Sequence, residues 1–452
     1  MKKKRRKLRV FIIVYIALIA VAAGYILFTN WESGKPRLNY TYNTAAAAAI
    51  PYPDASFAVI SDIHLYDTSL GTTGPAFEAV MQSDRKLLLD SQDLLHYAVG
   101  EILKSDVQFV LVSGDMTKDG ELLCHNDAAA ELKRLTDASK QVYVIPGNHD
   151  IDNPGAFSYS GDTATPVANI TPDDFTRIYA GFGYSSAIDR DADSLSYVAE
   201  PVDGLWLLAL DSCRYRDNKP GGEEVVGGVI SQTTEDWIEK VLGEAQRQNK
   251  AVIVMVHHGV VEHWTGQHKL HPDYLLPDYK HFGEMLAGYN VRLAFTGHYH
   301  AQDITEGLFG GKYLYDVETG ALVTTPCPIR YCTLKDNQFT VESETVADKL
   351  HPGTDFEKNA EAFVKANVIG EAKATLNKYF VKGKDADIIS DAVGDAFLAH
   401  YAGDENPADM PVIDESQLSL WGRFILYMER YVIVGLWHDL PPADNNISFS
   451  LK

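Results

Sequence analysis

The stretch VYVIPGNHD, residues 142–150, decides how the rest of the sequence is interpreted. Its apolar, largely β-branched part stops at a Pro-Gly turn, and an amide, an imidazole and a carboxylate follow at once. This order is typical of a buried strand that delivers polar side chains at its carboxyl end. Five other short apolar runs end in a similar way and are predicted as strands. They cover residues 57–60, 107–112, 205–210, 251–256 and 291–295.

Helical patterns lie between many of these runs. Apolar side chains recur with a period near 3.6 in residues 87–103, and residues 121–135 show a second such pattern. Continuous apolar strands that alternate with helices predict a layered α/β domain whose strands are buried on both faces. In such folds, binding sites lie outside the carboxyl ends of the strands.

The sequence changes in character near residue 350. Three helices are predicted after this point, in residues 356–380, 386–401 and 414–437. We therefore expect a separate all-α C-terminal domain, residues 350–452, after an α/β domain of residues 55–349. The last predicted helix is very apolar, but charged residues interrupt it, which favours a buried core helix over a membrane span.

The charge of the chain is strongly acidic. Its 452 residues carry a formal net charge of -22, although seven of the first nine residues are basic. An acidic body of this kind repels polymeric nucleic acid, which needs many Lys and Arg contacts to phosphates. A small anion can still bind if metal ions reverse the field locally.

The N-terminus carries the clearest targeting signal. Residues 10–28 have no charge and, as a helix, would span close to the roughly 30 Å hydrocarbon core of a bilayer. We expect a cytoplasmic segment of residues 1–9, a single-pass cell-membrane anchor of residues 10–28 and a linker of residues 29–54 before an extracytoplasmic body. A cleaved signal peptide, and thus a secreted protein, is the alternative, and the length of the apolar stretch favours the anchor.

The four cysteines leave two alternatives open. They are Cys124, Cys213, Cys327 and Cys332, and no two of them form a Cys-x-x-Cys pair. In an extracytoplasmic chain, a disulfide between Cys327 and Cys332 is one alternative, and four free thiols are the other.

Polar side chains follow five of the predicted strands, at the point where each strand ends. They are Asp62 and His64, Asp115, the run Asn148-His149-Asp150, His257, and His298 with His300. Each piece alone has an ordinary explanation as a hydrogen-bonded loop residue. Because five strand ends of one α/β domain carry such groups, we expect them to converge on one site.

The residue types predict a metal site. Asp62 and His64, two apart on an extended segment, point the same way and can hold one ion, while Asp115 can bridge two. A mixed set of nitrogen and oxygen ligands suits manganese, iron, zinc or cobalt better than calcium or magnesium. Two such ions, about 3.5–4 Å apart, can clamp the attacking and leaving oxygens of an in-line phosphoryl displacement.

The five motifs resemble the calcineurin-like metallophosphoesterase superfamily, whose signature runs D-x-H, G-D, G-N-H-D/E, H and G-H-x-H. Every element stands in that order within residues 55–335. The resemblance implies a four-layer α/β/β/α sandwich and a centre of two divalent or mixed-valence transition metal ions, with Mn, Fe or Zn expected. His64 and the run of residues 114–121 resemble the class III cyclic nucleotide phosphodiesterase branch in particular.

The resemblance also implies a role for each residue of the site. One metal is expected on Asp62, His64, Asp115 and His300, and the other on Asp115, Asn148, His257 and His298. His149 is expected to act as the general acid or to contact phosphate, and Asp150 is expected to orient His149.

The implied activity is hydrolysis of a small phosphodiester, with cyclic nucleotides among the candidate substrates, by in-line attack of a metal-bridging hydroxide. A phosphomonoesterase or phosphoprotein phosphatase on the same metal centre is one alternative. A surface binding module, in which the metals only stabilise the fold, is an alternative of another class. The sequence leaves the oligomeric state and the role of the C-terminal helices open.

Overall fold

The computed structural model describes residues 38–40 and 49–451. The predicted membrane anchor, residues 10–28, lies outside these residues and stays a prediction. Across the described ranges, no helix combines the length and the apolar character that a membrane crossing requires. This holds also for the apolar helix predicted in residues 414–437, which the sequence analysis interpreted as a core helix.

The strands and helices are numbered here in chain order over the described residues. The strands are β1 (Leu38–Tyr40), β2 (Ala55–Ile60), β3 (Phe109–Val112), β4 (Gln141–Val144), β5 (Phe157–Ser160), β6 (Thr163–Pro166), β7 (Asp189–Arg190), β8 (Tyr197–Val202), β9 (Leu205–Leu210), β10 (Ala251–Val256), β11 (Leu293–Thr296), β12 (Asp303–Phe309), β13 (Lys312–Glu318), β14 (Pro328–Lys335), β15 (Gln338–Thr345) and β16 (Asn446–Ser450). The α-helices are α1 (Pro75–Ser83), α2 (Ser91–Lys104), α3 (Leu122–Asp137), α4 (Pro172–Ile178), α5 (Gln232–Arg247), α6 (Gln267–Leu270), α7 (Tyr279–Gly288), α8 (Phe356–Lys378), α9 (Lys384–Ala402) and α10 (Leu420–Leu436).

Two sheets form the centre of the fold. The six-stranded sheet has the order β16-β15-β14-β2-β3-β4, and the eight-stranded sheet has the order β1-β12-β13-β11-β10-β9-β8-β7. In the first sheet β2, β3 and β4 run parallel, and in the second β9, β10 and β11 run parallel. Each of the six predicted apolar runs is one of these parallel strands, so the predicted α/β fold is confirmed.

The core lies between the two sheets and on their outer faces. Phe57 of β2 meets Phe295 of β11 edge to face, with ring centroids 5.3 Å apart. Along β10, Ile253 and Met255 join this inner core, whereas the alternate residues face the outer layer of α5 and α7. Helices α2 and α3 pack with the six-stranded sheet. The layers therefore follow the order helix, sheet, sheet, helix, as strands buried on both faces require.

The three predicted C-terminal helices are present: the ends of α8 and α9 lie within two residues of the prediction, whereas α10 begins six residues later than predicted. They pack around a third apolar cluster, which Trp264 and Tyr299 of the α/β region join. The prediction of an all-α C-terminal part is wrong in one respect. Strand β16 pairs with β15 and returns the end of the chain to the six-stranded sheet, with Ile447 and Phe449 against the core.

The structure also bears on two smaller predictions, which concern the linker and the cysteines. The predicted linker, residues 29–54, contains the short strand β1, which pairs in parallel with β12. All four cysteines are free, so the disulfide alternative between Cys327 and Cys332 is wrong. Both side chains are buried, and burial raises the pKa of each thiol above its ordinary value.

His125 of α3 supports the loop that carries the VYVIPGNHD motif. Its ring is fully buried, with Nε2 2.8 Å from the carbonyl oxygen of Asp150 and Nδ1 2.9 Å from the hydroxyl of Tyr179. Burial lowers the pKa of His125 to about 3. The unfolded chain, with an ordinary His pKa, binds a proton that the folded chain does not bind as the pH falls below about 6.5.

We predict that His125 makes the fold acid-sensitive. The neutral ring contributes fully above pH 6.5, and by pH 5 protonation of the unfolded chain costs about 2 kcal/mol of stability. His125→Gln should lower Tm at pH 7 and flatten the decline of Tm between pH 7 and pH 5, as followed by circular dichroism. The exposed His281→Gln should keep the wild-type decline, and an unchanged slope in His125→Gln would contradict the prediction.

Candidate active site

The carboxyl ends of the parallel strands in both sheets meet at one edge of the sandwich. The turns after β2, β3 and β4 carry Asp62, His64, Asp115 and Asn148, and the turns after β10 and β11 carry His257, His298 and His300. The structure thus brings together all seven residues that the sequence proposed as metal ligands. Their metal binding stays a prediction.

Four of these residues form one group, with one ligand atom from each lying within 4.8 Å of the others. His64 Nε2 lies 3.4 Å from Asp115 Oδ2 and 3.2 Å from His300 Nε2. His300 Nε2 in turn lies 3.4 Å from Asp62 Oδ1. These four residues, Asp62, His64, Asp115 and His300, are the ones predicted to hold the first ion.

The second group shares Asp115 with the first. Asp115, His257 and His298 again have ligand atoms within 4.8 Å of one another. His257 Nε2 lies 3.3 Å from Asp115 Oδ2 and 3.2 Å from Asn148 Oδ1. One carboxylate oxygen of Asp115 therefore faces imidazoles of both groups, as a bridging ligand must.

The residues present suit two divalent ions. Asp115 Oδ2 and His298 Nε2 are buried without a hydrogen-bond partner in the described part of the chain, and such atoms are costly unless something coordinates them. Burial lowers the pKa of His64 and of His298 well below the ordinary value, which keeps both rings neutral and able to donate a lone pair. Neutral imidazoles combined with carboxylates suit transition metals.

The backbone of the site is held in an unusual conformation. Positive φ angles occur at five predicted ligands, namely Asp62, His64, Asp115, His298 and His300. Residues other than glycine avoid this left-handed region because of the Cβ atom. Clustering of such residues at one place indicates that the surrounding structure enforces the geometry for a function.

Two motif glycines are needed because other groups approach their backbone closely. A Cβ atom on Gly147 would lie 2.0 Å from Asp115 Oδ1, and one on Gly297 would lie 2.0 Å from the hydroxyl oxygen of Ser61. No side chain fits at either position without displacing the ligand turns. The glycines of the motifs therefore serve the close packing of these turns.

His149 lies beside the two groups and outside both. Its Nδ1 is 2.9 Å from Asp119 Oδ1 and 3.2 Å from Glu224 Oε2, while its Nε2 is 3.3 Å from Lys86 Nζ. Burial opposes charge on this ring, but Glu224, Asp115 and the hydrogen bond with Asp119 outweigh it and raise the pKa of His149 to about 10. The ring is therefore held as an imidazolium.

The expectation that Asp150 orients His149 is wrong. Both oxygens of the Asp150 carboxylate are used by the backbone: Oδ2 accepts the N–H groups of Met116 and Gly147, and Oδ1 accepts that of Thr117. Burial raises the pKa of Asp150 to about 7. Asp150 thus holds together the turns after β3 and β4, and Asp119 and Glu224 contact the His149 ring instead.

A cavity of about 560 Å³ opens in front of the site. Its lining includes residues that the sequence interpretation missed, namely Arg85, Lys86, Lys118, Asp119, Glu224 and Glu371. Asp119 and Lys118 belong to the run of residues 114–121 that follows β3, so a signal for them existed. Lys86, Glu224 and Glu371 come from separate loops and from α8, and no motif marks them.

The comparison with known protein families matches the α/β part of the chain and not the C-terminal helices. A family model described as calcineurin-like phosphoesterase matches residues 55–302. A search of curated protein sequences finds no match.

Among solved structures, a dimetal phosphatase from Danio rerio is similar with a TM-score of 0.46 and 16% identity, over 66% of this chain and 97% of that one. A purple acid phosphatase from yellow lupin seeds gives a TM-score of 0.37 and 13% identity, over 67% and 53% of the two chains. A sulfate thiohydrolase from Thermus thermophilus gives 0.36 and 12%, over 72% and 62%. Since the family match spans more than half of the sequence, the chain belongs to the calcineurin-like phosphoesterases.

Proposed function

We propose that the protein is a phosphodiesterase with a dinuclear metal centre, and that cyclic nucleotides are the first substrates to test. Family membership supports a metal-dependent phosphoester hydrolase, and the charge of the cavity lining supports diesters within that class. The proposal assigns the ions to the two ligand groups that share Asp115. Bound there, two cations would supply a hydroxide nucleophile at neutral pH and neutralise charge on the phosphoryl oxygens.

The charge of the cavity is the observation that carries the preference for diesters. Apart from the histidines, three basic and five acidic side chains line it, and one of the five acids, Asp115, is assigned to the metals. Each basic group already has an acidic neighbour: Arg85 Nε lies 3.7 Å from Glu371, Lys86 Nζ lies 3.8 Å from Asp84, and Lys118 pairs with Asp119 and Glu121. Beyond the metals, such a lining suits the single negative charge of a phosphodiester better than the double charge of a monoester.

Lys86 and His149 place two hydrogen-bond donors close together in the cavity. Because Nδ1 of His149 lies between two carboxylates, its Nε2 is left as a second N–H donor, and Lys86 Nζ lies 3.3 Å from it. Two cationic donors at this distance are stabilised by a shared acceptor, such as an oxygen of the phosphoryl or leaving group. His149 would then give its Nε2 proton to the departing alkoxide, and Lys86 would hold the oxygen in place.

The rest of the cavity can receive the ester groups of the substrate. Val80, Phe157, Tyr159 and Tyr274 contribute apolar and aromatic surface beside the polar groups. Aromatic side chains are suited to stack against a nucleobase. This surface is the reason for placing cyclic nucleotides first among the diesters.

We predict that Asp115→Ala abolishes the activity, because the variant loses the one ligand common to both groups. Turnover of a chromogenic phosphodiester with Mn²⁺ added should fall on the order of a thousandfold, while the exposed Asp203→Ala keeps the wild-type rate. A panel of 2′,3′- and 3′,5′-cyclic nucleotides, glycerophosphodiesters, nucleotides and phosphopeptides then defines the substrate class. A higher kcat/KM for monoesters would overturn the preference for diesters, and no hydrolysis of any phosphoester by metal-loaded protein would overturn the enzyme assignment.

We predict different consequences for two neighbouring carboxylates. Asp119→Asn weakens the contact that holds the His149 ring and should lower kcat about ten- to a hundredfold, with metal content near wild type. Asp150→Asn replaces one of the two carboxylate oxygens by an NH2 group, so one or two of the three backbone N–H groups lose their acceptor, and Tm and metal content should fall together. Mass spectrometry of bound metal and thermal melts separate the two effects. If Asp119→Asn lost metal and Asp150→Asn did not, the assignment would be reversed.

We predict that Lys86→Ala weakens binding of the phosphoryl group in the transition state. Loss of a charge-assisted hydrogen bond of about 1.5–3 kcal/mol corresponds to a roughly ten- to hundredfold fall in kcat/KM. The exposed Lys133→Ala on α3 is the matched control and should leave kcat/KM unchanged. Equal kinetic constants for Lys86→Ala and the wild type would remove Lys86 from the substrate site.

A further inference from the structure

A second cluster of metal-type ligands lies outside the candidate active site. Asp303, His400 and Glu405 are all buried, and one ligand atom from each lies within 4.8 Å of the other two. The ligand atoms within each of the two active-site groups lie within the same distance of one another. Asp303 begins β12, His400 lies in the last turn of α9, and Glu405 follows that helix, so the cluster joins the eight-stranded sheet to the C-terminal helices.

Several atoms of this cluster have no hydrogen-bond partner. Asp303 Oδ1 lies 2.7 Å from His263 Nδ1 and accepts the hydroxyl of Thr305, but Asp303 Oδ2 has no donor within the described chain and lies 3.8 Å from His400 Nδ1. Glu405 Oε1 pairs with His400 Nδ1, whereas Glu405 Oε2 is unpaired. Asp303 is 1% exposed and Glu405 is 6% exposed, so water does not readily satisfy these oxygens.

Two neighbouring buried carboxylates, those of Asp444 and Asp316, have hydrogen-bond donors for both of their oxygens. Asp444 Oδ1 accepts the N–H of Ile304 and its Oδ2 accepts the N–H of Asp404, so both oxygens are used. Asp316 likewise accepts from the backbone and from a threonine hydroxyl. Unlike these two carboxylates, Asp303 and Glu405 each keep one buried oxygen that a bound ion can coordinate.

The nearby guanidinium does not pair with the carboxylates of the cluster. Arg330 is the nearby guanidinium, but it donates to the backbone carbonyl oxygens of Glu318, Asp303 and Asp444 and makes no ion pair with a carboxylate of the cluster. Among the described residues, the side chains that meet the two carboxylates are the imidazoles of His263 and His400 and the hydroxyl of Thr305.

We propose that Asp303, His400 and Glu405 bind a third divalent transition metal ion, separate from the dinuclear centre. One imidazole and two carboxylates form a ligand set that suits zinc or manganese. The site shares no residue with the active site, and the inference does not rest on the proposed phosphodiesterase activity.

The ion would fasten the C-terminal helices to the catalytic core. Tyr401 follows His400 directly, and its hydroxyl accepts a 2.5 Å hydrogen bond from Arg85 in the wall of the active-site cavity. Because metal binding in the folded state adds to the free energy of unfolding, the ion would stabilise the contact between α9 and the sheet. Its role is structural, with an effect on the cavity wall through Tyr401.

The test is the number of ions bound per chain. Wild-type protein is stripped with a chelator, dialysed against Zn²⁺ or Mn²⁺ and measured by inductively coupled plasma mass spectrometry. We expect three ions in the wild type and two in His400→Gln/Glu405→Gln, which keeps a hydrogen-bonding pair of similar size. The control His281→Gln/Glu235→Gln makes the same changes in an exposed pair 2.6 Å apart and should keep three ions.

Asp115→Ala separates this proposal from the dinuclear centre. If the dinuclear assignment fails, the total changes, but the loss of one ion in His400→Gln/Glu405→Gln remains. Should that variant not fold, anomalous diffraction from metal-loaded wild-type crystals decides, with a peak expected among Asp303, His400 and Glu405. Equal stoichiometry in the folded variant and the wild type, or no peak at this position, would overturn the third site.

Discussion

The buried carboxylate of Asp115 is the contact on which the polar edge of the fold depends. Its Oδ2 lies 3.4 Å from His64 of the six-stranded sheet and 3.3 Å from His257 of the eight-stranded sheet, while Oδ1 accepts the N–H of His149. Burial opposes ionisation, but the neighbouring histidines, His257 first, hold the pKa of Asp115 well below its ordinary value. One carboxylate thus lies between groups from both sheets, and a shift of either sheet would separate it from the histidines that favour its charge.

This constraint explains why the turns around Asp115 are strained and glycine-rich. Left-handed backbone at Asp62, His64 and Asp115 costs free energy, and the hydrogen bonds between the turns after β2 and β3 offset that cost. Asp62 and His64 donate their N–H groups to the carbonyl oxygens of Gly114 and Asp115, and Asp150 holds the other side through three backbone donors. Asp150 is therefore essential to the site as a support for the backbone.

Sequence reasoning reached the strands and the ligand groups because both are local patterns. Each ligand follows an apolar strand directly, and parallel strands necessarily bring their carboxyl ends together. The partner of His149 was missed because Asp150 is adjacent in sequence, whereas successive residues of a tight turn point to different sides. Lys86 and Glu224 were missed because their positions depend on how distant loops pack, and β16 because a five-residue edge strand is recognisable only beside its neighbour β15.

The C-terminal helices contribute to the wall of the cavity through Glu371 and contact its lining through Tyr401. Glu371 of α8 lies 3.7 Å from Arg85, and Tyr401 of α9 accepts a hydrogen bond from the same guanidinium. Without Glu371, Arg85 would face the cavity as an uncompensated cation and would favour doubly charged phosphomonoesters. In the proposed function, α8 therefore helps to set the charge of the substrate that the cavity accepts, because Glu371 pairs with a basic residue that the phosphoesterase core contributes.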